Sequence, residues 1–304
     1  MDLGGTKIEG IVLDAQGREL FRKRVETQRD KGYQHILNRI KELHDDLSAN
    51  VNGAAHTLGI GTPGVIAPRT GLMKNSNTVC MNGMPVKADL EKLLGRPVEM
   101  QNDANCFAMA EALLGAGRGH KMVFGVIMGT GCGGGLVYKG EVITGPQAIA
   151  GEWGHMSIDP EGPVCYCGQK GCTETFISGG GLQRRYEALH GVKKTFFEIE
   201  QDYHQGEPKA VALIQEFFRR FGRAVANLID ILDPDVIVLG GGVSRVRRLY
   251  ANVPRLMPRY VFGGECDTPV VQAAHGDSSG VRGAAWLWSA EEAREYAEKA
   301  GIQR

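Results

Sequence analysis

No window of the 304-residue chain approaches the ~20 consecutive apolar residues that a membrane-spanning helix needs. No charged-then-apolar signal segment opens it. An excess of one charge is lacking too. Thirty-five basic residues balance 35 acidic ones, and no long basic run occurs, so a nucleic-acid or anionic-membrane partner has no electrostatic basis. The G-x-x-x-x-G-K-[ST] phosphate loop is absent. The expectation is therefore a cytoplasmic protein, in which the seven cysteines read as thiols or metal ligands rather than disulfides. A chain that is 42% hydrophobic and 23% charged is ordinary for a globular protein, and its length suits two domains of about 100–200 residues.

Glycine, in contrast, is in excess, with 43 residues against a usual ~7%. The glycines gather in short turns rather than a repeat, which points to tight backbone loops around a ligand. Ile8 to Asp14 alternates around Ile11 and Leu13 and predicts a strand, returned by Ala15-Gln16-Gly17 through a partner from Glu19 to Val25. Ile36, Ile40, Leu43 and Leu47 have helical spacing. Thr57 to Gly61 predicts a short strand ended by the turn Thr62-Pro63-Gly64. Pro97 to Met100 predicts another, running into Asn102-Asp103 ahead of a helix from Ala104 to about Leu114. Met122 to Met128 predicts an apolar strand, Gly129 to Gly135 a glycine turn, and Leu136 to Tyr138 the start of the return strand. A strand–glycine turn–strand unit thus occurs here and at Asp2-Leu3-Gly4-Gly5-Thr6, which suggests two related lobes facing one ligand. Leu213, Phe217, Phe221, Val225, Leu228 and Leu232 form one face of a helix from about Pro208 to Leu232. The Phe217-Phe218 pair reads as core, with a dimer seam as the alternative. Val236 to Leu239 is an apolar strand from which Gly240-Gly241-Gly242 turns off. Such alternation indicates α/β layering.

Three glycine turns, each after a strand, offer backbone N–H groups that no Cβ shields, the chemistry of an anion site; a phosphate-bearing ligand is expected. Asp2 at the first turn suits Mg²⁺, a hard cation that takes carboxylate and water oxygens. His155 followed by Cys165, Cys167 and Cys172 supplies one imidazole and three thiolates, a closed tetrahedral zinc set with no position left for water, hence structural. Cys80, Cys106, Cys132 and Cys266 lack such spacing and read as core or loop thiols. Glu152 and Glu174 flank the zinc segment and, held by it, can accept sugar hydroxyls. Asp103 lies at a strand end before a helix. It reads equally as a general base reaching into a cleft and as a helix N-cap.

These segments together resemble the ROK family (repressors, open reading frames and kinases). The resemblance rests on Asp2-Leu3-Gly4-Gly5-Thr6-Lys7, Asn102-Asp103-Ala104-Asn105, Gly129-Thr130-Gly131, Gly151-Glu152-Trp153-Gly154-His155, the Cys-x-Cys-Gly-x-x-Gly-Cys-x-Glu stretch from Cys165 to Glu174, and Gly240-Gly241-Gly242. It runs in order over nearly the whole chain and is strongest toward bacterial fructokinases of the manno(fructo)kinase type, through Val164 to Gly168, Val261 to Cys266 and His275 to Gly280. The resemblance implies an α/β, actin-like ATPase (ribonuclease H-like) fold of two lobes with a central cleft. An N-terminal lobe would span 1–104, a C-terminal lobe with the zinc loop 105–289, and a terminal helix 290–304 would pack back on the first. It implies transfer of the γ-phosphoryl group of ATP-Mg²⁺ to a hexose hydroxyl, usually O6. Fructose and also mannose would be the substrates, with N-acetylglucosamine or glucose as alternatives, and the enzyme would be a homodimer.

By motif position Asp103 would be the general base. Asn102, Glu152, His155 and Glu174 would hold sugar hydroxyls, His155 giving its other ring nitrogen to zinc, with Gly64 and Asn77 completing the pocket. Asp2, Gly4, Gly5, Thr6, Lys7, Gly129, Thr130 and Gly131 would bind phosphates and Mg²⁺, and Gly240, Gly241 and Gly242 would lie against the adenosine. Family members carry apolar residues ahead of the first-turn Asp, so the native first strand is expected to start upstream of Met1. A shortened strand with weaker Mg²⁺ placement is the alternative. A sugar-responsive repressor would need a helix-turn-helix domain, which no segment here supplies. A non-catalytic sugar-sensing module would be expected to lose Asp103 or the phosphate turns, and both are present.

Overall fold

The computed structural model describes residues 1–51, 53–276 and 279–299. Their contacts form two compact units: Met1–Leu114 with Thr144–Ala150 and Ser278–Arg304, and Gly115–Ile143 with Gly151–Asp277. The division falls after Leu114 rather than at 104, and the chain returns to the first unit from Ser278 rather than from 290.

In the first unit β1 (Asp2–Leu3), β2 (Lys7–Leu13) and β3 (Glu19–Glu26) run as an antiparallel meander. β4 (Gly59–Thr62) adds to β1 in parallel. After a separate short hairpin of β5 (Val65–Ile66) and β6 (Met73–Lys74), β7 (Glu99–Asn102) adds in parallel to β4. The order is β3-β2-β1-β4-β7. The two-residue β1 is therefore the central strand, with Asp2 opposite Glu9 on one side and Gly61 on the other. The spacing read from the sequence is that of α1 (Tyr33–Ser48), which buries Ile36, Leu37, Ile40, Leu43 and Leu47. α2 (Val86–Leu94) ends on Gly95 in the left-handed conformation. α3 (Asp103–Leu114) is buried over every residue from Ala104 to Ala112. A helix without a polar face belongs in an interior.

The second unit repeats the order. β8 (Met122–Met128), β9 (Cys132–Tyr138) and β10 (Glu141–Ile143) form a meander, and β11 (Val236–Gly240) and β12 (Val270–Gln272) add in parallel, giving β10-β9-β8-β11-β12. Counted within each five-stranded sheet, both orders read third-second-first-fourth-fifth. The duplication suggested by two short glycine motifs is thus a duplication of topology. Between β10 and β11 come α4 (Thr173–Ile177), α5 (Gly179–His190), α6 (Phe196–Gln205) and α7 (Pro208–Leu232), and α8 (Leu249–Leu256) follows β11. α7 opens with Glu207 accepting from Ala210 N at 2.7 Å and with Pro208 in the first turn, and it stops at Asp233, whose φ is 44°. Its apolar face, Phe217 and Phe218 included, is buried within one chain, so the pair is core and not a dimer seam.

Gly133 to Gly135 lie in β9 and not in a turn. The cause is a second segment. A Cβ on Gly151 would stand 2.5 Å from Gly134 O, and one on Gly134 2.6 Å from the Trp153 ring. The strand is glycine-rich because another backbone lies on it.

α9 (Ser279–Ala285) and α10 (Ala290–Lys299) group with the first unit. Beside α10, Trp288 Nε1 donates to Leu58 O at 2.8 Å, and Tyr296 packs between Trp288 and the Arg96 guanidinium. Residues 300–304 of the expected terminal helix lie outside the described residues. α9 crosses α3 so closely that a Cβ on Gly283 would stand 1.6 Å from Cys106 O. Backbone cannot yield as a side chain can, so Gly283→Ala is expected to cost at least about 3 kcal/mol, the upper end of ordinary overpacking. A melting temperature unchanged by that substitution would show the helices free to move apart. No described helix is long and apolar enough to cross a membrane.

Candidate active site

In open α/β sheets ligands bind outside the carboxyl ends of parallel strands. In the first unit those ends belong to β1, β4 and β7, and they carry Leu3, Thr62 and Asn102, with Asp2 one residue before the end of β1; Thr62 pairs with Asn102, and Gly61 with Asp2. Asn102 Oδ1 accepts from Asn105 N at 2.8 Å. Asn102 is thus the N-cap of α3, and the capping alternative for Asp103 falls away. That residue is the first of the helix, is exposed, and takes its neighbour's Ala104 N–H at 2.8 Å.

The Gly4-to-Thr6 turn is closed by Gly4 N donating to Lys7 O at 2.9 Å. It is tied to the end of β3 by Thr27, whose hydroxyl donates to Gly4 O at 2.7 Å and whose amide donates to Thr6 O at 3.0 Å. Arg29 reaches the same turn, its guanidinium 3.3 Å from where a Gly5 Cβ would be. Lys7 is exposed at the start of β2. Asp2 is partly buried, and loss of solvation pushes its carboxyl above the usual range. The start of α9 closes on it: a Cβ on Gly280 would stand 3.0 Å from Asp2 Oδ2. Thr27 and Arg29 were missed from sequence, since nothing local marks them, and Gly280 was noted only as part of the His275-to-Gly280 segment, without a role at Asp2. Thr62 Oγ1 donates to Gly64 O at 2.9 Å. Asn77 is exposed on the loop after β6, which Asn82 fastens by bonds of 2.8 and 2.9 Å to the Ser76 backbone.

In the second unit the Gly129-to-Gly131 turn leaves the carboxyl end of β8, and Gly240 to Gly242 leave the parallel end of β11, with Gly240 opposite Ile127. Gly241, at φ 81°, folds back so closely that a Cβ would stand 2.4 Å from Met128 O. The two turns are therefore adjacent. Cβ atoms on Gly129 and Gly242 would meet nothing within 4 Å, so these two backbones face open space.

Gly129 O accepts from Gly179 N at 2.8 Å and Thr130 O from Gly180 N at 3.1 Å, both at the start of α5. Glu174 Oε2 accepts from Cys132 N at 2.9 Å. The phosphate-type turn is thus fixed from α4 and α5. The run Ser178-Gly179-Gly180-Gly181 was a visible signal that the sequence reading passed over. One oxygen of Glu174, expected to serve a sugar, is committed to the turn. Glu152 is half-buried and precedes the short turn Trp153–His155.

The four expected ligands come together. The ligand atoms of His155, Cys165, Cys167 and Cys172 all lie within 4.8 Å of one another. Cys165 Sγ is 3.7 Å from His155 Nδ1, and Cys167 Sγ is 3.6 Å from Cys172 Sγ. Ligands at ordinary zinc bond lengths on a tetrahedron are separated by about 3.5–3.8 Å, so the set fits a closed tetrahedral metal. Gly168 and Gly171, both at positive φ, double the chain back between the thiols. The Gln169 backbone N–H draws the Cys167 thiol down to about 7, while burial pushes Cys172 up to about 12. The other nitrogen of His155, Nε2, is 3.0 Å from the Tyr166 hydroxyl. Of the remaining thiols, Cys106 and Cys132 are buried, Cys266 half-buried and Cys80 exposed.

The chain matches the ROK family model over residues 1–291. The N-acetyl-D-glucosamine kinase of Vibrio atlanticus is 38% identical over 296 residues, which covers 94% of this chain and 97% of that protein. Among solved structures, a ROK hexokinase from Thermus thermophilus superimposes with a TM-score of 0.88 at 33% identity, covering 97% of this chain and 98% of that one. A ROK family glucokinase from Streptomyces griseus, in complex with glucose and AMPPNP, superimposes with a TM-score of 0.73 at 30% identity, covering 94% and 97%.

Proposed function

Because the chain belongs to the ROK family and has its α/β, actin-like ATPase (ribonuclease H-like) fold, we propose that this ATP-dependent sugar kinase phosphorylates N-acetyl-D-glucosamine at O6. The observation that carries the choice of sugar is the 38% identity to the Vibrio atlanticus enzyme along almost the full length of both chains. It replaces fructose, which rested on short segments. One of these, Val261 to Cys266, lies beside the end of α7, where Phe262 N donates to Asp230 Oδ1 at 3.0 Å. Since β11 starts just after α7, that segment is at the amino end of the sheet, away from the glycine turns. A second, His275 to Gly280, includes the glycine that packs on Asp2. The third, Val164 to Gly168, lies within the His155–Cys172 set.

In this proposal Asp103 accepts the proton of the attacking hydroxyl, and Asn102, Gly64 and Asn77 bound the sugar site in the first unit. Glu152 and His155 hold sugar hydroxyls, and Glu174 fixes the Gly129-to-Gly131 turn. Gly4 to Thr6 with Lys7 and Gly129 to Gly131 receive phosphate oxygens on backbone N–H groups, and Gly240 to Gly242 receive the adenosine. Phosphoryl transfer asks chiefly for such positioning and charge stabilisation. Asp2 and its waters would hold Mg²⁺, which neutralises developing phosphate charge. Zinc in the His155–Cys172 set would be structural, pinning the loop from Glu152 to Glu174. A homodimer and a cytoplasmic location, where ATP is supplied, complete the proposal.

The test is ADP release by the purified chain with ATP-Mg²⁺ and, separately, N-acetylglucosamine, glucose, mannose and fructose. N-acetylglucosamine is expected to give a kcat/KM at least about tenfold above the others, the discrimination one polar contact provides. A preference for fructose would restore the sequence-based substrate and overturn this one.

A further inference from the structure

Both ring nitrogens of His155 are engaged. Nδ1 belongs to the metal set, 3.7 Å from Cys165 Sγ. Nε2 is 3.0 Å from Tyr166 Oη, and the two rings meet edge to face at 5.1 Å. A nitrogen given to a metal carries no hydrogen, so the imidazole proton sits on Nε2. With the metal bound, the Tyr166 hydroxyl would accept that N–H. It is the same N–H that the proposed function gives to a sugar hydroxyl, and one donor cannot serve two acceptors well. Tyr166 lies between two ligands of the set, Cys165 and Cys167, so its backbone is placed by the cluster. The residue itself is 81% exposed. Packing does not lock the side chain there, and rotation about its first side-chain bond would move the hydroxyl into water.

We propose that Tyr166 is a displaceable cap on the sugar-binding nitrogen of His155. Its hydroxyl occupies the donor while no sugar is present and yields it to a hexose hydroxyl. Tyr166 is thereby a positioning residue that sets sugar affinity without touching the phosphoryl transfer. The inference rests on the reading of His155 as a sugar ligand. A hydroxyl that only steadied the imidazole for the metal would behave differently: its loss would weaken metal retention and leave sugar affinity unimproved.

The experiment compares Tyr166→Phe with wild type in the full chain. Four hexoses (N-acetylglucosamine, glucose, mannose and fructose) are titrated calorimetrically without nucleotide, and bound metal and melting temperature are measured alongside. The expected result is sugar binding tighter by about two- to tenfold, the worth of one net hydrogen bond. KM should fall in parallel, with kcat, metal content and melting temperature unchanged. Equal or weaker binding of a hexose that wild type does bind overturns the cap and leaves the kinase intact. So does a Phe variant that sheds its metal. If wild type binds none of the four, the sugar role of His155 falls and the cap falls with it, an outcome told apart by the failure of wild type itself.

Discussion

Asp103→Asn is expected to lower kcat by about 10²–10⁴, the usual contribution of a general base, while the dissociation constant for the sugar changes less than about threefold. The structure makes this substitution unusually clean. Asn102, not Asp103, caps α3, through its 2.8 Å bond with Asn105 N. The amide oxygen of an asparagine at 103 can still accept the Ala104 N–H that Asp103 Oδ1 accepts at 2.8 Å. The isosteric change keeps that bond and removes the ability to take a proton. Asn102→Ala is the contrasting control: it removes the cap and should cost about 1 kcal/mol of stability. A variant at 103 that kept more than about a tenth of the wild-type rate would leave proton transfer to water or another group, and Asp103 would lose its role.

Cys167→Ser is expected to lower the melting temperature by at least ~5 °C and to raise the sugar KM by at least about tenfold. Cys167 is the exposed member of the set, whereas Cys165 and Cys172 are buried. Serine at 167 thus disturbs no core packing, and any large effect comes from the metal. Binding to such four-ligand sites is worth on the order of 10 kcal/mol in isolated peptides, and in a chain of this size each kcal/mol moves the melting point by roughly 2–4 °C. The segment at stake runs from Glu152 through His155 to Glu174, whose carboxylate holds Cys132 N at 2.9 Å. Freeing it is expected to unfasten the residues proposed to hold the sugar and the Gly129-to-Gly131 turn together. Metal analysis should find about one zinc per wild-type chain and less in the variant. Normal sugar affinity with a normal melting temperature would remove the structural metal from this account.

Several elements were legible because their causes are local. α7 was found from Pro208 to Leu232 since its stripe repeats every three to four residues and both ends carry a stop signal. β8 was found as Met122 to Met128 from its apolar run. The clustering of the candidate metal set was legible because Cys165, Cys167 and Cys172 are close in the chain and glycines let it double back. Asp103 was located but not assigned. Its rival function, the cap, went to Asn102 because β7 ends at that residue, a boundary set by pairing with β4.

What stayed illegible is non-local. Gly133 to Gly135 looked like turn residues because glycine has no strand preference of its own; they form a strand because residues 151–154 lie on them. Gly280 beside Asp2, Thr27 on the first turn and Gly179 with Gly180 on the second join residues that the sequence separates by 20 to nearly 280 positions. The fructose expectation is not supported by the relatives, which favour N-acetylglucosamine; of the segments behind it, Val261 to Cys266 is recognisable, but only the fold puts it at the amino end of β11.

The sequence by itself determined the residue types of the chemistry, the α/β alternation, the glycine turns and the metal set, because periodicity and short spacing fix local backbone and local ligands. Tertiary structure decided which glycines are open to a ligand and which are pressed against another backbone. It also decided which of two neighbouring side chains caps a helix, and that Tyr166 covers a nitrogen of His155. Close approach depends on where distant segments land, and no local pattern encodes that.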